Sequence, residues 1–200
     1  MNLRNLGFVM AAVSVVACCA AVSVSCVQNT YYGRPPSHAR VAHDEIKLSA
    51  KINFARNSSE IEQSSMEVID DIAAVMNENP DINFVEIAGH ASKEGNAQHN
   101  TILTQKRANA VMEALAERGV ARDRMRAVGY GYYCELSAGD HEGNRRVEVK
   151  ILRRGGNNTG VESGGCEAAD AQGLTAQPIP ATAPRTESPP QPGNQRGNRR

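Results

Sequence analysis

The chain has no tryptophan, and Phe and Tyr together make up only 4% of its 200 residues. A surface built to stack nucleic-acid bases needs more aromatic side chains than that. An excess of one charge is missing too: 22 Lys and Arg balance 22 Asp and Glu, for a formal net charge of zero. The basic footprint of a nucleic-acid binder is therefore absent, and no nucleic-acid partner is expected. Catalytic signatures are also lacking: there is no HExxH, no nucleophile elbow and no Cys/His pairing in a convincing context. The expectation is a protein without enzymatic activity, cofactor or metal. No internal repeat is evident.

What is present begins with a targeting signal. Arg4 is followed by an uncharged, mostly apolar run from Leu6 to Cys26, the pattern of a secretory signal. Val15-Val16-Ala17 before Cys18 resembles a bacterial lipobox, in which the Cys is acylated and cleavage falls just before it. Ser23-Val24-Ser25 before Cys26 is a poorer match, but Cys26 borders the polar stretch where a tether would begin. The lipid attachment site is therefore Cys18 or Cys26. Cleaved secretion and an uncleaved anchor over Leu6 to Val27 are the alternatives. That segment carries no Asp or Glu to move a proton, which argues against a stator-type ion channel subunit. Export implies an oxidising compartment, so Cys134 and Cys166 are a candidate disulfide; two unlinked thiols are the alternative.

Composition divides the chain into a signal over 1–26, a polar tether over 27–44, a patterned domain over 45–153 and a tail over 154–200. The tail is rich in Gly, Pro, Ser, Thr, Gln and Asn, and is expected to be disordered because it has little apolar surface to bury. Within the domain, Ile46, Leu48, Ala50, Ile52 and Phe54 alternate with polar residues, which predicts a half-buried strand. Met66, Ile69, Ile72, Ala73 and Met76 mark a helix ended by Asn79-Pro80. Strands are predicted over Asn83 to Ala88, Met125 to Val128 and Arg146 to Leu152. Leu103, Ala110, Val111, Ala114 and Leu115 mark a second helix, closed near Gly119. The fold class is α+β, in the order β-α-β-α-β-β, with two helices packed on one face of a mixed four-stranded sheet.

Arg107 is the informative residue, because it falls near the middle of the second helix's apolar arc. A guanidinium stays charged, and burying it unpaired costs several kcal/mol. Either Asp70, Asp71 or Glu94 neutralises it, or it is held for an anionic ligand.

Five motifs bear on that choice: INFARNSSEI at Ile52–Ile61, GHASKEG at Gly89–Gly95, N-x-x-L-T-x-x-R-A-x-x-V-x-x-x-L at Asn100–Leu115, VGYG at Val128–Gly131 and NRRVEV at Asn144–Val149. In this order they resemble the OmpA-like peptidoglycan-binding domain shared by OmpA C-termini, Pal-type lipoproteins and flagellar stator subunits. The resemblance implies non-covalent binding of the diaminopimelate residue of the peptidoglycan stem peptide. It places the carboxylate-binding arginine at Arg107, the helix-motif asparagine at Asn100, and Asn57 and Ser58 near the pocket, with Arg145 as a second basic contributor. A planar guanidinium fork suits bidentate contact with a carboxylate.

The sequence departs from the family pattern at Ser92. Most members read GHTD, whose Asp accepts the ligand ammonium; this chain reads GHAS. Losing a charge-assisted hydrogen bond costs on the order of 1.5–3 kcal/mol, roughly tenfold to hundredfold in affinity. Glu94 is the expected replacement. Asn100 has an alternative role as a helix cap, and one of Arg145 and Arg146 as an ion-pair partner within the fold. His90 and His99 are expected to order the loop rather than bind metal. Tyr130, Tyr132 and Tyr133 are expected to pack at the sheet edge, and Glu60, Glu62, Asp70 and Asp71 to lie on a solvated helix face. The resemblance implies an outer-membrane, lipid-anchored protein facing the periplasm of a Gram-negative bacterium, which tethers that membrane to the wall. The alternative is a Tol-Pal-like interaction module with weak or altered wall binding and Tol-type partners.

Overall fold

The computed structural model describes residues 36–161 and 166–174. Cys18, Cys26, the signal segment, the start of the tether and the tail from residue 175 onward lie outside the described residues. The strands are β1 (Ala39–Val41), β2 (Glu45–Leu48), β3 (Ile82–His90), β4 (Met125–Gly129), β5 (Arg146–Arg154) and β6 (Asn157–Asn158). The helices are α1 (Met66–Glu78), α2 (Ala97–Glu117) and two single turns, α3 (His141–Asn144) and α4 (Glu167–Asp170). The sheet order is β1-β2-β5-β3-β4, with β6 hairpinned onto β5. β3 and β4 run parallel with α2 as their crossover, and the other neighbours are antiparallel, so the sheet is mixed as expected.

Periodicity explains the shared core. Ile69, Ile72, Ala73 and Met76 recur at i, i+3, i+4 and i+7 and are all buried in α1. Val85 and Ile87 of β3 and Val149 and Ile151 of β5 alternate onto the same side of the sheet and join them in one cluster. Each fully buried side chain of this size contributes about 1.5–3 kcal/mol. α1 stops at Asn79, whose Nδ2 donates to the Val75 carbonyl at 2.7 Å, ahead of Pro80.

Two glycines set the height of α2. Gly89 and Gly129 are register partners in the parallel pair β3/β4. A Cβ at Gly129 would lie 2.1 Å from the Gln105 nitrogen, and one at Gly89 would lie 2.6 Å from the Thr104 oxygen. The helix can therefore rest directly on the sheet backbone. Gln105 fastens it there, donating to the Ala127 carbonyl at 2.9 Å and accepting from the Gly129 N–H at 2.9 Å.

Several expectations change. The first strand is shorter than predicted, because β2 pairs with β5 only as far as Ile46 and the chain after Leu48 is drawn toward α1, where the Asn53 N–H donates to Ser65 Oγ at 2.8 Å. The tether over 27–44 includes β1, which pairs with β2. Asp71, expected on a solvated face, is 6% exposed and accepts from the N–H groups of Ser37 and His38 at 2.9 and 2.7 Å. It pins that edge to α1. The tail over 154–200 begins with ordered structure rather than disorder: β6 and α4 fold back, and Cys134 and Cys166 are joined by a disulfide with Cα atoms 5.7 Å apart.

Candidate binding cleft

The cleft lies beyond the C-terminal ends of β3 and β4, where four segments meet. The turn after β2 brings Phe54, Asn57 and Ser58; the loop after β3 brings Ser92 and Glu94. Asn100, Thr104 and Arg107 come from α2, and α3 with the start of β5 brings Glu142, Arg145 and Arg146. The cavity is about 510 Å³, and its walls include Phe54, Asn57, Glu94, Arg107, Glu142 and Arg145.

Arg107 lies on the flank of the α2 stripe rather than at its centre. The buried line runs through Asn100, Thr104, Ala108, Val111 and Leu115, whose steps of four and three residues hold one face. Arg107, one position before Ala108, turns out of that line into the cleft. Its guanidinium stacks over the Phe54 ring, 4.9 Å from the centroid, and Nε donates to the Ser58 carbonyl at 2.9 Å. Among the described residues no carboxylate is paired with it. The three candidates are occupied elsewhere: Asp70 pairs with Arg118, Asp71 accepts from Ser37 and His38, and Glu94 pairs with Arg145. Burial, and then the neighbouring charge of Arg145, push the Arg107 pKa below the ordinary arginine value. An arginine remains charged through such a shift.

Opposite it runs a chain of ion pairs. Arg145 Nη1 meets Glu94 Oε2 at 3.1 Å and Ser92 Oγ at 3.2 Å, and its Nη2 meets Glu142 Oε2 at 2.8 Å. Lys51 Nζ closes the chain on Glu142 Oε1 at 2.9 Å. Lys51 first, then Arg145, hold the Glu142 carboxyl below the usual carboxylate range. Ser92 is 4% exposed, and its hydroxyl donates to Glu94 Oε2 at 2.9 Å. The neutral serine thus positions the acid two residues on.

Asn57, Glu94, Arg107 and Arg145 line the cavity; Ser58, Ser92 and Asn100 stand behind them. Ser58 acts through its carbonyl on Arg107, and Asn57 adopts φ 55°, with its Oδ1 2.9 Å from His99 Nε2. Asn100 is not the cap of α2. That role falls to Asn96, whose side chain accepts from the His99 N–H, while Asn100 Nδ2 donates to the Glu94 carbonyl at 2.6 Å. The sequence reading missed Phe54 as the platform under Arg107, and Lys51 and Glu142 as charges of the rim. Phe54 was visible inside INFARNSSEI, but as a core position; Lys51 and Glu142 are 91 residues apart and carry no local signal.

Chemically, the cleft can pair an anion at Arg107 and a cation at Glu94. It belongs to an α+β binding module with a preformed, charged cleft. Residues 53–148 match the model of the OmpA family. Similar proteins include the peptidoglycan-associated lipoprotein of Brucella melitensis biotype 1, 33% identical over 86 residues that cover 43% of this chain and 51% of that one. Outer membrane porin F of Pseudomonas fluorescens is 32% identical over 110 residues, covering 53% of this chain and 33% of that one. Among solved structures, an outer membrane protein from Borrelia burgdorferi B31 matches with TM-score 0.46 and 29% identity, covering 57% of this chain and 96% of that one. The chain thus spans between a third and a half of these two curated relatives' length.

Proposed function

We propose that this domain binds peptidoglycan non-covalently, taking the zwitterionic end of the stem-peptide diaminopimelate, and that it tethers the outer membrane to the wall through a lipid at Cys18 or Cys26. The observation that carries the reading is Arg107, partly buried and held in place by Phe54 and Ser58, with no carboxylate partner among the described residues. The match of residues 53–148 to the OmpA family model and relatives named peptidoglycan-associated lipoprotein support it.

In this reading the ligand carboxylate sits on the Arg107 fork and its ammonium on Glu94. Glu94 is already paired with Arg145, but their side chains are 55% and 42% exposed. An ion pair that open to water contributes about 0–1 kcal/mol, so exchanging it for a ligand ammonium costs little. The charge-assisted contacts at Arg107, at about 1.5–3 kcal/mol each, outweigh that cost.

Co-sedimentation with purified sacculi tests the proposal. Arg107→Ala is expected to abolish pelleting, and Glu94→Ala to weaken it roughly tenfold. Pelleting of Arg107→Ala at wild-type level would sink the assignment, and released muropeptides would indicate an enzyme. Mass spectrometry of the mature N-terminus decides between Cys18 and Cys26. A second reading, an envelope-complex module with Tol-type partners, is favoured by Ser92: the cleft lacks the family acid, and its substitute is pre-engaged with Arg145.

A further inference from the structure

A second cavity of about 320 Å³ opens in the seam between β2 and β5, walled by residues 45–52 on one side and 146–149 on the other. It exists because the β2/β5 ladder stops after two pairs, Glu45 with Lys150 and Ile46 with Val149, while both chains continue. The main-chain directions can be read from neighbouring bonds. The Ile151 N–H donates to the Asp44 carbonyl at 2.8 Å, so by alternation Val149 and Val147 also turn their main-chain groups toward β2. On the other wall, the Ser49 N–H donates to the His38 carbonyl on the β1 side at 2.9 Å, so Leu48 turns toward β5. Beyond the last ladder pair, the main-chain groups of Leu48 and Val147 therefore face each other across an open slot.

The slot is continuous with the Arg107 cleft, because Ile52, Arg146 and Val147 line both. One end is closed by the Ile46–Val149 pair. Where the two cavities join, the Lys51–Glu142 pair links the walls, with Nζ also donating to the Glu142 carbonyl at 2.7 Å. The local side-chain charges are already matched, Lys47 with Glu45 and Arg146 with Glu148. What the slot offers a ligand is therefore main-chain hydrogen bonding rather than net charge. Its volume is near the lower end of the ~300–1,000 Å³ range for small-ligand sites, which suits two or three residues of extended peptide.

We infer that this seam is a second subsite, which takes the peptide continuing from the residue clamped at Arg107 and adds it as a short strand between Leu48 and Val147. Addition of a strand to an open sheet edge is a recurrent way of holding extended peptides. The inference rests on the stem-peptide reading of the Arg107 cleft. It adds that the domain measures the length of the peptide around the clamped residue, not only its zwitterionic end. Opening the Lys51–Glu142 pair admits the chain.

The test compares two probes on the full chain: free diaminopimelate, which needs only the Arg107 cleft, and a stem tetrapeptide carrying the same residue. The tetrapeptide is expected to bind at least about tenfold tighter. It should also slow hydrogen exchange at the Leu48 and Val147 amides, which free diaminopimelate should leave unchanged. Ala50→Trp, which fills the slot, should bring the tetrapeptide down to the affinity of free diaminopimelate while leaving the latter's affinity intact. Should that variant fail to fold, exchange in the wild-type protein still decides. Equal affinities with no protection at Leu48 and Val147 would overturn the second subsite and leave the Arg107 reading standing. No binding of either probe would overturn both.

Discussion

The two faces of the sheet are buried by opposite means. The face under α1 and α2 is aliphatic: Val85, Ile87, Val149 and Ile151 meet Ile69, Ile72, Val111 and Leu115. The other face carries Glu86 and His90 from β3, Arg126 from β4 and Glu148 and Lys150 from β5, with Tyr130 just beyond β4; Glu86, His90 and Tyr130 are almost wholly buried. It is sealed by Cys134, Ala169 and Leu174, brought over it by the loop after β4 and by α4. The first face is held by shape and apolar area. The second is held by a network in which each polar group depends on the next. Glu86 Oε2 accepts from Arg126 Nε and Nη2 at 2.9 and 2.7 Å, and its Oε1 accepts from Tyr130 OH at 2.8 Å. Burial and the Glu86 carboxylate push the Tyr130 phenol far up, which keeps it a donor.

The sharpest way to break this comparison is one substitution on each face at adjacent positions of β3. Glu86→Ala takes away the acceptor shared by the half-buried Arg126 guanidinium and the buried Tyr130 phenol, and removing one partner of such a pair costs up to about 3–5 kcal/mol. Ile87→Val removes one methylene from the aliphatic side, for about 0.5–1.5 kcal/mol. Urea unfolding midpoints of both variants measure the contrast. Equal losses would mean that the polar face is no more interdependent than the aliphatic one.

The next largest effect concerns the covering segment. Cys166→Ser opens a bridge between residues 32 apart in sequence, and losing a disulfide across such a loop costs about 2–4 kcal/mol. The loss should be local in its first stage: exchange at Ala169 should rise to that of an exposed turn, while Met76 and Leu115, under the helices, keep their protection. The cleft should register it as well, because Arg146 Nη1 donates to the Cys134 carbonyl at 3.3 Å and Arg146 lines the cavity. Uniform loss of protection across both faces would show that the strap is not a separable layer.

The same contrast explains what was legible in the sequence. Periodicity finds residues that share a face when that face is apolar, so α1, α2 and β3 to β5 were readable from their aliphatic spacing. It says nothing about a polar face that is also covered, because Glu86, Arg126 and Glu148 look like solvated positions until their partners are known. The covering segment was hidden by its own composition. Glu167 to Asp170 offers one deeply buried apolar side chain, Ala169, and its attachment comes from a covalent bond that spacing cannot establish. At the cleft, the motifs named Arg107, Asn57, Glu94 and Arg145, which line the cavity, because each sits in a recognisable local run. Ser58, Ser92 and Asn100, named with them, stand one layer behind, since which of two neighbouring polar residues reaches the cavity depends on loop conformation rather than on order in the chain.

The smallest predicted effect is the most specific to the covered face. His90 is 2% exposed, stacks on Tyr130 with ring centroids 5.4 Å apart, and has no hydrogen-bond partner at either ring nitrogen among the described residues. Its Nε2 lies 3.6 Å from Glu148 Oε2, too far for a hydrogen bond. Burial pushes its pKa below the ordinary value of 6.5, against the pull of Glu148 and with the repulsion of Arg146 and Lys150. The unfolded chain therefore takes up a proton at His90 at a pH where the folded protein does not. Stability from this group is complete above pH 6.5 and declines as pH falls through the window below it, by at most about 1.4 kcal/mol per pH unit. Glu148 acts lower. Burial alone would raise its carboxyl, but the Arg146 guanidinium paired with it holds it well below the usual range, so its contribution is lost only as pH falls beneath 4.5. Replacing His90 with Phe keeps the stacked ring and removes the proton site. The variant's unfolding free energy should then be flatter than wild type between pH 6.5 and 5. An unchanged slope in the upper window would mean that His90 is reached by solvent, and that this face is not sealed.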